Sequence, residues 1–252
     1  MIIFIFMEDV IMNFGGNSVA NRPVFILKNS SPFYERIDVD FKYYSGFAEV
    51  QKRKSIKSLH EAFLNKKQGG KILEISSKSE NELGIKLSAF NLKIETKSKK
   101  MYSVEVVFQS SKVFEHGGPY LDLLDKTSKE AKKDIRLKES GELKYFNYFG
   151  NKFELNPKTY FYNWLYVNTV NLNKNLGDAL MRYNCFTDIE FNPNKSINCQ
   201  AMAAAVYVSL RKNGLLDLAL QSKEKFLEVV YKENEDKTRM QKVQQINMLD
   251  NL

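Results

Sequence analysis

A chain of 252 residues with 43% hydrophobic and 27% charged side chains has the composition of a globular protein, long enough for one large domain or two small ones. Two cysteines cannot build a disulfide framework, and two histidines, His60 and His116, with no cysteine at metal-ligand spacing, argue against a structural zinc site. The formal net charge of +8 points to an anionic partner, without separating nucleic acid, nucleotide and acidic protein.

The opening run MIIFIFM (1–7) is the longest apolar stretch and is too short to span a membrane. With no basic region ahead of it and no small-residue cleavage pattern behind it, it is not read as a signal peptide. It is either an edge strand or sequence upstream of a start at Met7 or Met12. The runs RPVFIL (22–27), RIDVDFKYY (36–44) and KILEISS (71–77) are β-branched or aromatic and bounded by turn residues, so they read as strands. Between them, KSIKSLHEAFLNKKQGG (54–70) reads as a helix closed by glycine, with Ile56, Leu59 and Phe63 on its buried face.

From Ser103 onward the pattern is mostly helical. In SVEVVFQSSKVFEH (103–116), helical spacing puts Glu105, Gln109, Lys112 and His116 on one face of an otherwise apolar segment. Thr127 and Glu130 form a capping box that opens a helix over 128–140, closed by Gly141. Pro157 fits the first position of a helix through KTYFYNWLYVNTV (158–170). Ser196 fits the N-cap of a helix ending before Gly214, with Asn198 and Gln200 in its first turn. From Gln221 the chain is polar and reads as a frayed helix or tail. With no internal repeat and no low-complexity linker, the economical fold is one α+β domain with a β-rich front and a helical back.

Several residues have the chemistry to cleave a bond to a sugar. A carboxylate such as Glu105 supplies an acid, a base or a stabilising charge, according to how far burial raises its pKa. Lys112 has two readings: a cation that holds phosphate, or a desolvated neutral amine that attacks the anomeric carbon. In FTDIEF (186–191), strand-like alternation points Asp188 and Glu190 the same way, to hold ribose hydroxyls or to act as acid and base. Lys195 adds charge beside a helix start whose N–H groups favour a pyrophosphate, and Asn198 and Gln200 are either ligand contacts or ordinary caps. Of the many aromatic residues at 145–166, Trp164 is the first candidate to stack on a base. Lysine runs at 97–100 and 129–133 are weak candidates for phosphate contact; Lys52, Arg53 and Lys54, directly after the aromatic YYSGF, are stronger.

The order of Gly84, LSAF (87–90), a short basic strand pair, Glu105, Phe108–Gln109 and Lys112 resembles the NADAR (YbiA-like) family. That family carries a G-x-x-F-S-N-F turn, a hairpin, and a helix reading S-E-x-x-F-Q-x-x-K. Ser88, Phe90, Ser103, Glu105, Phe108, Gln109 and Lys112 match it, and Trp164 lies on a later helix where the family also has a tryptophan. Ala89, Val106, Val107 and the closing stretch FTDIEFNPNKSINCQ (186–200) depart from the pattern. The front half and this closing stretch are similar to the branch encoded beside DarT-type DNA ADP-ribosyltransferase toxins.

The resemblance implies a NADAR core over 84–214, with a β-rich front extension at 1–83 and a C-terminal helix or tail at 215–252. It implies an enzymatic antitoxin in the bacterial cytoplasm, without cofactor or metal, that binds ADP-ribose and removes it from guanine in DNA. Its catalytic set would be Glu105, Lys112, Asp188 and Glu190. Ser88, Phe90, Phe108, Gln109, Trp164, Lys195, Asn198 and Gln200 would hold ADP-ribose, and Lys52, Arg53 and Lys54 the DNA. Two other functions stay open: a non-catalytic module that sequesters ADP-ribose or DNA, and an N-glycosidase acting on a small nucleotide or riboflavin-pathway intermediate. The Glu105 and Lys112 pair argues against the first, and the basic charge and extended front against the second.

Overall fold

The computed structural model of the chain describes residues 12–14, 17–46, 48–96 and 98–232. The apolar run at 1–7 and the far end of the expected tail lie outside the described residues. In chain order, the front comprises β1 (Met12–Phe14), β2 (Asn17–Leu27), β3 (Tyr34–Lys42), α1 (Glu49–Lys66) and β4 (Ile72–Glu74). There follow α2 (Glu82–Lys86), β5 (Lys93–Glu95), β6 (Met101–Ser103), α3 (Val104–Ser110) and β7 (Lys112–Phe114). A 3-10 turn at Leu121–Asp125 leads to α4 (Ser128–Lys133), α5 (Arg136–Glu139), β8 (Leu143–Tyr148) and β9 (Asn151–Phe153). The back continues with α6 (Tyr160–Leu172), α7 (Lys174–Leu180), β10 (Cys185–Thr187), α8 (Gln200–Lys212), α9 (Leu216–Ala219) and a helix at 223–232. The fold is α+β.

The main sheet takes strands from both halves of the chain. β2 pairs antiparallel with β3 along its length and with β10 at its end, and β10 pairs parallel with β4. Successive side chains of a strand face opposite sides. Val24 and Ile26 accordingly join Val39, Phe41 and the buried α1 residues Ile56, Leu59 and Phe63 in one apolar cluster. Phe25, between them, joins the larger cluster on the other side, with α6 and α8. In α8 the fully buried Ala201, Ala203, Ala204 and Ala205 keep the helix thin, so it packs closely on α6 and on the sheet.

Several expectations are met by local chemistry. Thr127 and Glu130 form the reciprocal capping box, β5 and β6 form the hairpin, and Gly69 has the positive φ of a residue that follows a helix. Others need correction. The helical segment after Ser103 is interrupted by β7, β8 and β9, which make a separate antiparallel sheet. The helix expected over 128–140 divides at Asp134, which receives Arg136 on its carboxylate. Pro157 precedes α6, and its carbonyl accepts from the Tyr160 N–H at 2.9 Å. Ser196 does not cap α8; its hydroxyl donates to the Asn198 carbonyl at 3.2 Å, and the helix starts at Gln200. The end is no frayed tail as far as residue 232, since Phe226, Val230 and Tyr231 are buried in the main core.

Gly84 locks the turn before Ser88 to the end of β4. A Cβ there would overlap the carbonyl of Glu74 and the hydroxyl of Ser79. Overpacking against backbone costs about 1–3 kcal/mol. Gly84→Ala is therefore expected to lower Tm by roughly 2–12 °C at this chain length. An unchanged Tm in thermal denaturation would show that the two segments are not held in contact.

Candidate active site

A cavity of about 930 Å³ opens between α3, the turn at 88–90, the strand end at Lys112 and the loop at 188–200. That size lies toward the upper end of the roughly 300–1,000 Å³ usual for small-molecule sites. Ser88, Phe90, Glu105, Phe108, Gln109, Lys112, Asp188, Glu190, Lys195, Asn198 and Gln200 all line it. These residues were expected on separate grounds, and the fold brings them together.

The α3 wall is set by its N-terminus. The Ser103 hydroxyl accepts from the Val106 N–H at 3.2 Å, and the Glu105 N–H donates to the Ala89 carbonyl at 2.9 Å. This directs Glu105, 5% exposed, into the cavity. Its Oε1 accepts from Gln109 Nε2 at 2.8 Å and lies 3.9 Å from Lys132 Nζ. The Oε1 of Gln109 is buried without a hydrogen-bond partner, and so is Oδ1 of Asn198 across the cavity. Buried polar atoms are seldom left unpaired. Two acceptors lining one cavity suit a ligand that donates hydrogen bonds, as sugar hydroxyls and nucleobase amines do.

Lys112 is not on the helix of Glu105. The helix ends at Ser110, and Lys112 begins β7, opposite Phe146 of β8. The expected single face through His116 therefore does not exist; His116 is exposed and lines no part of the cavity. Lys112 still meets Glu105 there, since both line the cavity and the Glu105 charge acts on the lysine. Its Nζ stands 5.0 Å from the centre of the Phe108 ring, and among the described residues it forms no ion pair. Burial pulls its pKa down to about 8, the Glu105 charge opposes that fall, and Lys132 adds to it.

Asp188 and Glu190 do not alternate on a strand. β10 ends at Thr187, and the Glu190 N–H folds back onto Asp188 Oδ1 at 3.0 Å. Asp188 is 7% exposed, whereas the Glu190 side chain is 43% exposed, 3.4 Å from Lys52 Nζ. Burial, then the charge of Glu74, push Asp188 well above the usual carboxylate range. Gln200 is a clamp between cavity walls: its Oε1 accepts from the Ala89 N–H and its Nε2 donates to the Ile75 carbonyl, each at 2.6 Å.

Lys132 and Tyr162 line the cavity and were missed. Lys132 lay inside a lysine run read as a surface track. Burial, then the Glu105 charge, hold the Tyr162 phenol well above its ordinary pKa, so it is a neutral O–H group. Lys52, Arg53 and Lys54 are consecutive on α1 and fan around it. Lys52 reaches Tyr43 at 3.2 Å and Glu190, Arg53 pairs with Glu49, and Lys54 lies over Tyr44.

Trp164 does not line the cavity. Its ring packs at 4.9 Å on Phe153 and 5.3 Å on Tyr148, centroid to centroid. Trp164 is half-buried among these rings, and losing it costs up to about 3 kcal/mol. Trp164→Ala should therefore lower Tm and leave ADP-ribose affinity, measured calorimetrically on the folded protein, within about twofold. A tenfold loss of affinity at unchanged Tm would return the indole to the ligand.

Comparison with the curated proteins gives no match. The family model described as the DarT1-associated NADAR antitoxin matches residues 20–240, which covers β3, β4, β10, most of β2 and every wall of the cavity. The chain belongs to the family of DarT1-associated NADAR antitoxins.

Proposed function

We propose that this antitoxin works as an enzyme, a hydrolase that removes ADP-ribose from guanine in DNA and so reverses the modification made by a DarT-type toxin. The observation that carries the reading is the meeting of Glu105, Lys112 and Asp188 in one cavity, each buried or nearly so, with burial pulling the lysine down and pushing Asp188 up. A non-catalytic module that sequesters ADP-ribose gains nothing from a lysine of low basicity. Binding alone is better served by a full positive charge.

Cleavage of a ribose–nitrogen bond develops positive charge on the sugar and negative charge on the departing base. Glu105, held by Gln109, stabilises the sugar charge. Lys112 in its neutral form attacks the anomeric carbon, or in its charged form holds phosphate. Lys132, Lys158 and Lys195 at the cavity wall supply cations for a diphosphate. Among the described residues no cluster of His, Cys, Asp or Glu is arranged to hold a metal ion. Of the basic run proposed to meet the DNA backbone, Lys52 stands beside the cavity-lining Glu190. No helix among the described residues is long and apolar enough to cross a membrane.

The test uses an oligonucleotide carrying one ADP-ribosylated guanine. Free ADP-ribose and unmodified DNA should appear, with EDTA present. Stoichiometric binding without release would favour sequestration, and release from small nucleotides alone would favour the small-molecule N-glycosidase.

Removing a positioned acid or base typically costs roughly 10²–10⁴ in rate. Glu105→Gln is expected to lose that much kcat with ADP-ribose affinity nearly intact. If Lys112 is the nucleophile, Lys112→Ala abolishes kcat, borohydride traps an adduct on the wild type, and the wild-type rate rises with pH through about 8. If it only holds phosphate, saturating substrate restores kcat in Lys112→Ala and no adduct forms.

A further inference from the structure

Behind the cavity wall lies a second carboxylate that the reading above leaves unused. Glu74, at the end of β4, is 3% exposed and pairs with no cation among the described residues. Its Oε2 accepts from the Thr187 hydroxyl at 2.6 Å and its Oε1 from the Ile189 N–H at 2.9 Å. Thr187 Oγ1 also lies 2.8 Å from Nε2 of His60, on α1 across the sheet. A hydrogen-bonded chain thus runs from His60 through Thr187 to Glu74, and the backbone it grips at Thr187 and Ile189 is the one that carries Asp188.

Glu74 and Asp188 are both buried, on either side of one strand end, so the charge of one opposes ionisation of the other, and the hydrogen bonds each receives favour one as the charged member. Burial pushes Glu74 up as well, but the Ile189 N–H and the Thr187 and Ser76 hydroxyls bond to it, and these three neutral donors favour its charged form. Asp188 receives one, from the Glu190 N–H. We propose that Asp188 is the proton donor to the departing base, and that Glu74, held ionised by Thr187 and Ile189, is the positioning residue that keeps Asp188 protonated. The inference rests on the hydrolase reading for its reaction, though not for the placement of the proton.

The step balances. The bond from the anomeric carbon to the guanine nitrogen breaks, its electron pair stays on nitrogen, and that nitrogen takes the Asp188 proton. The group that takes the carbon, water or the Lys112 amine, gives up a proton in turn and restores the acid. Over a full turnover one water is consumed.

The charged groups around Asp188 act in the same direction, with one exception. Glu74 on β4 and Glu190 in its own loop raise it, and Lys132 on α4 opposes them. Cys199 ahead of α8 and Tyr162 and Tyr166 on α6 are pushed up by burial and stay neutral. His60 is neutral too, since burial lowers it to about 4.

His60 reports the direction of the chain. If Glu74 is ionised, the one hydroxyl hydrogen of Thr187 is committed to it, so His60 must carry its hydrogen on Nε2. If Glu74 holds the proton on Oε2, facing Thr187, the chain reverses and His60 is protonated on Nδ1. The protein has only two histidines, so long-range proton–nitrogen NMR of the wild type at pH 7 resolves His60 from the exposed His116. The Nε2–H tautomer is expected; the Nδ1–H tautomer would overturn the assignment.

The catalytic half is read from pH profiles. Glu74→Gln keeps the shape and removes the charge. The alkaline limb of kcat, where Asp188 loses its proton, should move down by roughly one pH unit or more. Equal loss of rate at every pH would reduce Glu74 to scaffold and sink the proposal. Asp188→Asn should bind ADP-ribose and not turn over, and a variant that still turns over would also sink it. If the wild type shows no turnover, the hydrolase reading and the donor role fall together, while the tautomer still reports where the proton rests.

Discussion

Burying ionisable groups without matching each to a counter-charge is the constraint around which this molecule is arranged. Such groups cost free energy wherever they sit and persist only where the fold over-determines them. Lys112 faces the Phe108 ring and forms no ion pair among the described residues. Asp188 and Glu74 share one buried region without a full complement of cations. Concentrating these costs in one cavity is the pattern of sites whose pKa values are set for a task.

The architecture that sustains this is the parallel pair of β4 and β10. Their ends bring Glu74 and Thr187 into register, and the chain leaves β10 directly into the Asp188 turn. Opposite them, the Gln200 amide fastens the 88–90 turn to the end of β4, and Gly84 allows that turn to sit against the Glu74 carbonyl. The cavity walls therefore come from segments tied to one another by the Gln200 amide and by close packing at Gly84. Loosening one wall would admit water and return the buried groups to ordinary ionisation. Antitoxin membership fits this economy, and the proposed chemistry gives the economy a purpose.

Local patterns in the sequence were legible where local energetics decides structure. The buried face of α1, the capping box at Thr127 and the β5–β6 hairpin each follow from a few adjacent residues. The position of Lys112 was not legible. The hydroxyls of Ser110 and Ser111 both donate to the Val107 carbonyl at the helix end, and β8, thirty or so residues on, captures Lys112 as a strand. The residue was singled out through the family motif and lines the cavity, while the helical spacing used to place it was wrong. Asp188 and Glu190 failed as a strand pair for a similar reason, since an Asx-type turn follows Thr187 at once. Trp164 was drawn from a run of aromatics in which core and ligand contacts look alike. Glu74 left one signal that went unused: a lone carboxylate inside the apolar KILEIS run.

The most direct test is the ionisation of Lys112 itself. Carbon-13 NMR of the lysine ε-carbons across pH, with Lys112 assigned by its absence in Lys112→Ala, reads it without substrate or toxin. A midpoint near 8, well below the other lysines, is the predicted result. Titration of Lys112 together with the rest, near 10.5, would show that the cavity does not desolvate it and would contradict the account.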